Sequence, residues 1–297
     1  MDILVVGGTG FVATHLCPEL VERGHEVTAL SRTPDGAPAG VETITGDVTA
    51  FDSIQGAFDG RTGVVNLVAL SPLFKPDGGD EMHDVVHRQG TENCVRAAEE
   101  HGVERFVQLS ALGADPNGAT AYIRAKGRAE ERVRDSALDW TIFRPSVVFG
   151  EGGEFVSFTK RLKRLFAPGV PVYPLPGGGK TRFQPVWVGD LVPMIMAALD
   201  EQDHVGQTYE IGGPDTLTLR EGVELVYEAE GKSVSVVGLP MALAGVGLSV
   251  MDAVPGMPMG KDQYRSLSFD NTTSDNDVDA FGVDDGRLTA FHAYLGV

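Results

Sequence analysis

Two kinds of stretch alternate along the first half of the chain. Short runs rich in β-branched and other apolar residues, Ile3 to Val6, Glu26 to Leu30, Val64 to Ala69, Arg105 to Leu109 and Asp139 to Phe143, read as strands. Longer amphipathic stretches separate them: Phe11 to Arg23, Met82 to His101 and Ala121 to Asp135, with Gly24 and Gly102 standing where C-terminal caps belong. Strands that alternate with helices build a parallel sheet, and each helix here is long enough to return the chain across it in a right-handed crossover. The pattern therefore predicts an α/β fold with a doubly wound parallel sheet.

After Gly150 the rhythm breaks. Residues 151–182 hold a basic amphipathic stretch and a Pro/Gly-rich loop, 183–211 returns to strand-like and helix-like segments, and the chain from about Asp215 reads as a smaller domain. The expected organisation is 1–150 with about 183–213 as a nucleotide-binding domain, and 151–182 with 214–297 as a smaller, discontinuous C-terminal domain for substrate or partner. Leu239 to Met251 is nearly all apolar, too short to span a bilayer and suited to a buried helix or a pocket wall.

Composition narrows the classes. At 297 residues, 42% hydrophobic and 22% charged, the chain is an ordinary globular one with room for about two domains of roughly 150 residues. No apolar run reaches the roughly 18 residues of a membrane span, and Met1 leads straight into a strand, so the expected location is cytoplasmic. Cys17 and Cys94 fall on separate predicted helices, which suits reduced, buried thiols. The 42 acidic against 24 basic residues, net −18, argue against a nucleic-acid partner. Only seven of the basic residues are lysines. An acidic, lysine-poor surface is the signature of a protein in molar salt, where a Debye length of about 3 Å screens its self-repulsion; an acidic protein of ordinary salt is the alternative.

The first candidate chemistry lies between the first strand and the first helix, in Gly7-Gly8-Thr9-Gly10-Phe11-Val12-Ala13. With 38 glycines in the chain the spacing means little by itself. Its placement means more: a glycine turn lets backbone approach a pyrophosphate, and the helix start behind it offers unpaired N–H groups and the positive end of the dipole. Gly7, Gly10 and Ala13 fit the form in which the last small residue permits close helix-strand packing. At the end of the second strand, where an acidic residue would accept from a free ribose 2′-hydroxyl, stand Ser31 and Arg32. A hydroxyl and a guanidinium suit a 2′-phosphate, so NADP(H) is expected ahead of NAD(H), unless Arg32 is merely a solvated loop residue. Asp47 is placed either to bond an adenine amino group or to cap its own loop.

Tyr122 and Lys126 are four residues apart, one helical turn on the same face, and Ser110 directly follows the Arg105 to Leu109 strand. The carboxyl edge of a parallel sheet is where a doubly wound fold gathers its ligand. Gly7 to Ala13, Asp47, Asn66 to Leu70, Gly90-Thr91-Glu92-Asn93, Ser110, Tyr122 with Lys126, Arg144-Pro145-Ser146 through Gly150, and Gln184-Pro185-Val186 to Asp190 occur in an order that resembles the short-chain dehydrogenase/reductase superfamily in its extended or atypical branch. Within that branch, Gln108 to Ala114 and Tyr209 to Pro214 are most similar to the nucleotide-binding accessory subunit of respiratory complex I and its free-standing prokaryotic relatives.

The resemblance implies a Rossmann-type domain with cofactor contacts from Gly7, Thr9, Gly10, Phe11, Val12, Ser31, Arg32, Asp47, Val48, Ala69, Leu70, Lys126, Pro145 and Val147. It also implies catalytic roles for three residues. Tyr122 would donate a proton as hydride arrives, Lys126 would lower the phenol's pKa and hold the ribose, and Ser110 would orient the substrate oxygen. Ala13 in place of the usual third glycine is a departure.

Weaker signals are discounted. Gly177-Gly178-Gly179-Lys180-Thr181 resembles the end of a P-loop, but Pro174 stands where its first glycine would be. Glu81, His83 and His87 lack a further ligand at matching spacing, so no metal is expected. The basic stretch from Lys160 to Arg164, with Phe155, Phe158, Leu162 and Leu165 at helical spacing, is either a solvated helix beside the substrate or a dock for anionic lipid or a respiratory complex on the inner membrane face. The leading expectation is an NADP(H)-dependent oxidoreductase acting on a carbonyl or quinone-like, hydrophobic substrate. Its rivals are a non-catalytic NADPH-binding accessory protein and a nucleotide-sugar epimerase or dehydratase.

Overall fold

A computed structural model describes residues 1–167, 169–170, 172–240 and 260–297. The chain divides into two compact units. The first holds Met1–Leu70, Gly78–Pro145 and Leu191–Tyr209, and the second holds Ser71–Asp77, Ser146–Asp190 and Glu210–Val297. The segments 183–190 and 210–213, expected with the first domain, thus lie in the second unit. Local pairing explains why: Phe183 pairs with Leu217 and bridges Asn271, while the Gln184 side chain donates to the Gly213 carbonyl at 2.9 Å.

In the first unit, strands β1 (Asp2–Val6), β2 (Glu26–Ser31), β3 (Glu42–Thr45), β4 (Gly63–Asn66), β5 (Arg105–Leu109) and β6 (Asp139–Pro145) form one sheet with an edge strand, Gln207–Ile211, of which Gln207 to Tyr209 belong to this unit. The order is edge strand, β6, β5, β4, β1, β2, β3, and the pairings of β1 through β6 are parallel. Ile3 to Val6 are fully buried, as a strand covered on both faces must be. Leu4 and Val6 point into a core with Leu30, Phe58, Val64, Phe106 and Ile142, closed by Cys94, Ala97, Ala98 and Val133 from two helices. Those helices span residues 81–100 and Ala121–Arg134. Both cysteines are free and buried, and burial pushes their thiols up to about 12.

The chain leaves β1 toward β2 on one side and later returns to its other side as β4. The carboxyl ends of β1 and β4 therefore flank the point where strand order reverses, the place such sheets reserve for ligands. Every candidate cofactor residue except Val147 belongs to this unit.

The second unit packs an aromatic core of Phe149, Phe155, Phe158, Tyr173, Phe183, Tyr227 and Phe291 around Leu175, Leu219, Val223 and Val226. Its helix Leu219–Glu228 starts at a reciprocal cap, in which Thr218 and Glu221 bond each other's backbone N–H groups. Gly177 to Gly179, all at positive φ, turn the chain between strands Val172–Pro176 and Arg182–Phe183, so a strand follows where a P-loop needs a helix. The basic helix Glu154–Phe166 buries Phe155 and Phe158 in this core, which leaves those rings unable to enter a bilayer. Lys160 pairs with Glu230, and the Arg161 guanidinium sits 4.7 Å over the Phe74 ring. Of the apolar Leu239 to Met251 stretch, Leu239 ends strand Ser235–Leu239, and positions 241–251 lie outside the described residues. No described helix is long and apolar enough to cross a membrane.

Candidate dinucleotide and proton-transfer site

Backbone geometry fixes the turn after β1. Gly7 and Gly8 both donate to the Leu30 carbonyl, at 2.8 and 3.2 Å, and Gly10 donates back to Gly7 at 2.9 Å. Gly7 adopts φ +81°, open to glycine at little cost. Gly8 faces a tighter limit, since a Cβ there would lie 2.4 Å from the Ala29 Cβ and 2.8 Å from the Val5 carbonyl oxygen. Helix α1 (Phe11–Glu22) begins at Gly10, which carries no side-chain cap, and the first N–H to find a helical carbonyl is that of Thr14. The amides of Phe11, Val12 and Ala13 precede it and face the turn without a helical acceptor, a ready cradle for a pyrophosphate. Ala13 is fully buried, so a small residue closes α1 against the sheet.

At the end of β2 the Ser31 hydroxyl is buried with no hydrogen-bond partner among the described residues. Such an orphan calls for a ligand or an ion to satisfy it. Arg32 beside it is exposed, and no described carboxylate pairs with it although acidic residues far outnumber basic ones. Asp47 accepts from the backbone N–H of Thr49 at 2.9 Å and from its hydroxyl at 2.8 Å, so one carboxylate oxygen caps its own loop. Val48 is buried in the core, and its carbonyl accepts from Asn93 at 2.7 Å.

The second cluster forms at the carboxyl ends of β4 and β5. Asn66 bridges Gln108 at 2.9 Å and Thr91 at 3.2 Å. Gln108 and the Lys126 ammonium both donate to the Leu109 carbonyl, at 3.1 and 3.0 Å. This buried network fixes Lys126 one helical turn from Tyr122, its nitrogen 6.0 Å from the phenol ring centroid. Burial lowers the Lys126 pKa to about 8, with the Glu130 charge pulling the other way. Tyr122 departs from expectation: burial pushes the phenol above its ordinary value, and its hydroxyl has no hydrogen-bond partner among the described residues. Burial thus favours the protonated phenol at neutral pH.

Ser110 also departs from expectation. Its hydroxyl donates to Glu130 at 2.5 Å, and Glu130, fully buried, accepts from Arg144 at 2.6 Å and Arg134 at 2.8 Å. While that bond holds, the Ser110 proton is not available to a substrate oxygen. Around the ring of Tyr122 stand His83 and His87, edge-on at 5.5 and 5.3 Å between centroids.

A family model described as NAD(P)H-binding matches residues 7–164, more than half of the chain. The chain belongs to this NAD(P)H-binding, extended short-chain dehydrogenase/reductase-like family. It is 30% identical over 291 residues to the mitochondrial NADH dehydrogenase [ubiquinone] 1 alpha subcomplex subunit 9 of Arabidopsis thaliana, covering 92% of this chain and 71% of that protein. It is 26% identical to the chloroplastic divinyl chlorophyllide a 8-vinyl-reductase of the same plant, covering 86% of this chain and 63% of that one. Among solved structures, MoeE5 in complex with UDP-glucose and NAD shares the fold, with a TM-score of 0.69 at 21% identity over 100% of this chain and 96% of that one.

Seen as a member of this dehydrogenase/reductase-like family, the chain gathers its sequence-marked residues unevenly. Gly7, Thr9 and Gly10 form one turn that runs into Phe11 and Val12 at the start of α1, with Ser31 ending the adjacent strand and Arg32 following it. Ala69 and Leu70 lie in the segment after β4, and Pro145 ends β6, where its carbonyl accepts from Leu112 at 3.0 Å. Val147 falls in the second unit. Glu130, His83 and His87 were not singled out for this site. Glu130 sits in a helix so rich in charge that nothing marks it as the buried one. The histidine pair stands out in the sequence only by its four-residue spacing, because the fold alone brings it against the Tyr122 ring.

Proposed function

We propose that this chain is an NADP(H)-dependent oxidoreductase that reduces a carbonyl or quinone-like, hydrophobic substrate. The carrying observation is Tyr122, a phenol held protonated by burial, with no protein partner on its hydroxyl among the described residues and a buried ammonium one turn away. A reduced nicotinamide, when bound, supplies hydride. Tyr122 then delivers the proton to the substrate oxygen, while Lys126, anchored on the Leu109 carbonyl, holds the ribose and offsets the phenolate that forms. The amides of Phe11 to Ala13 hold the pyrophosphate, and Ser31 with Arg32 hold the 2′-phosphate. The direct test is to release and identify the dinucleotide that copurifies, then to follow NADPH oxidation at high salt against quinones and simple ketones. Net oxidation also separates this reading from a nucleotide-sugar epimerase or dehydratase, which would recycle its cofactor.

The cofactor assignment predicts that Arg32→Ala weakens NADPH by about tenfold, the loss of one charge-assisted contact of roughly 1.5 kcal/mol, and leaves NADH nearly unchanged. Titration calorimetry with both dinucleotides checks it, and equal losses refute it.

A second reading draws on one observation, the commitment of Ser110 to Glu130, together with the likeness to subunit 9. In that reading the chain holds NADPH as an accessory element of a respiratory complex, docking through the Lys160 to Arg164 face, and never oxidises it. The charge of −18 further supports a working environment of molar salt. Unfolding in dilute buffer and refolding as salt is restored is the expected result; a melting temperature indifferent to salt sinks the idea.

A further inference from the structure

His83 and His87 are 0% and 2% exposed and take no part in that chemistry. They belong to the 81–100 helix, whose segment Asp84–Gln89 is wound as a π-helix, a wider turn found frequently at functional sites. Their rings stack with centroids 5.4 Å apart, and both meet Tyr122 edge-on. His87 reaches in a second direction as well, because its Nε2 accepts the backbone N–H of Leu70 at 2.9 Å. A backbone amide only donates, so Nε2 carries the lone pair and the imidazole is neutral with its proton on Nδ1.

Leu70 closes the segment that follows β4, and the start of that segment lies against the glycine turn. Leu67 donates to the Val6 carbonyl at 2.9 Å, and a Cβ on Gly7 would lie 3.2 Å from the Val68 nitrogen. A continuous line of contacts therefore runs from the dinucleotide turn through residues 67–70 to the imidazole of His87, and from it to the phenol ring.

We propose that His87 is a positioning residue that couples the 67–70 segment beside the dinucleotide turn to the ring of Tyr122. Its effect on rate rests on the oxidoreductase reading; its tautomer and its bond to Leu70 rest on geometry alone. The charged and titratable groups around it are His83, stacked on its face, Lys126 of the facing helix, and Asp80, whose charge acts on His83. Burial, Lys126 and His83 all disfavour protonation of His87, so the acceptor at Nε2 persists through neutral pH.

The test uses the full chain at high salt. In the wild type, ¹⁵N spectra of the imidazoles should show His87 as the Nδ1–H tautomer, unchanged between about pH 6 and 8. NADPH should slow hydrogen exchange at the Leu70 amide. In His87→Phe, which keeps a ring against Tyr122 but offers no acceptor, that slowing should vanish. NADPH oxidation should fall about tenfold or more, the effect of a small displacement of the proton donor. His87→Gln, which can still accept from Leu70, should recover at least about a third of the rate. An Nε2–H tautomer, or equal rates in the Phe and Gln variants alongside preserved amide protection, overturns the coupling. If the wild type binds NADPH but never oxidises it, the oxidoreductase reading fails, and the tautomer and amide exchange still decide the role of His87.

Discussion

Replacing Tyr122 by phenylalanine is expected to lower NADPH-dependent reduction by roughly 10²- to 10⁴-fold while leaving dinucleotide affinity within about a factor of three. The substitution is clean because the hydroxyl has no protein partner among the described residues, so its removal strands no buried donor or acceptor. The ring that packs against His83 and His87 remains. Stability should therefore hold while proton delivery is lost. The pH profile adds a second signature. Burial holds the Tyr122 phenol above its ordinary value, so the proton to be donated stays in place through neutral pH. Lys126 titrates first, near 8, and above that the ammonium that offsets a developing phenolate is lost. The wild-type kcat/KM should accordingly be flat below neutrality and fall as pH rises through about 8. Rates that survive in Tyr122→Phe, or a profile rising through that window, would remove Tyr122 from the chemistry.

What could be read from the sequence follows from which patterns have a period. β1 was legible within a residue because a buried parallel strand is a nearly continuous apolar run, β2 and β5 because short runs of mostly apolar residues stand between helical stretches, and α1 because its glycine turn marks its start. β3, Glu42–Thr45, was not, since three of its four side chains are exposed and leave no apolar run. Met82 to His101 was legible as a helix but not its π-helical segment, because Asp84 to Gln89 carry the same mixture of apolar and polar residues that an ordinary turn would. Tyr122 and Lys126 came together because four residues is one helical turn. Ser110 was found beside the sheet edge as expected, yet the direction of its hydroxyl depends on Glu130, twenty residues away and hidden among neighbours such as Arg128, Glu131, Arg132 and Arg134. Asp47 left two readings open, and the bonds from Thr49 show the capping one for one of its oxygens.

That concealed carboxylate should also be costly to remove. Glu130 is fully buried and accepts from Ser110, Arg144 and Arg134, so truncation removes the carboxylate that two guanidinium groups and the serine hydroxyl share. Breaking a buried ion pair from one side typically costs about 3–5 kcal/mol, because the remaining charge is neither paired nor fully hydrated. Glu130→Ala is expected to fall in that range in urea titrations at constant salt. Ser110→Ala, which leaves the ion pairs standing, should cost less, about 1.5 to 3 kcal/mol for one hydrogen bond to a charged group. Arg134 reaches partly into solvent and can be rehydrated, whereas Arg144 is more enclosed, so most of the loss should trace to Arg144. Glu130→Leu combined with Arg144→Met removes both enclosed charges and should recover much of the stability lost in Glu130→Ala, since well-packed apolar replacements of buried pairs are often neutral or better. A cost below about 1 kcal/mol for Glu130→Ala would mean that water reaches this carboxylate and that the Ser110 hydroxyl is freer to turn toward a substrate than its 2.5 Å bond implies.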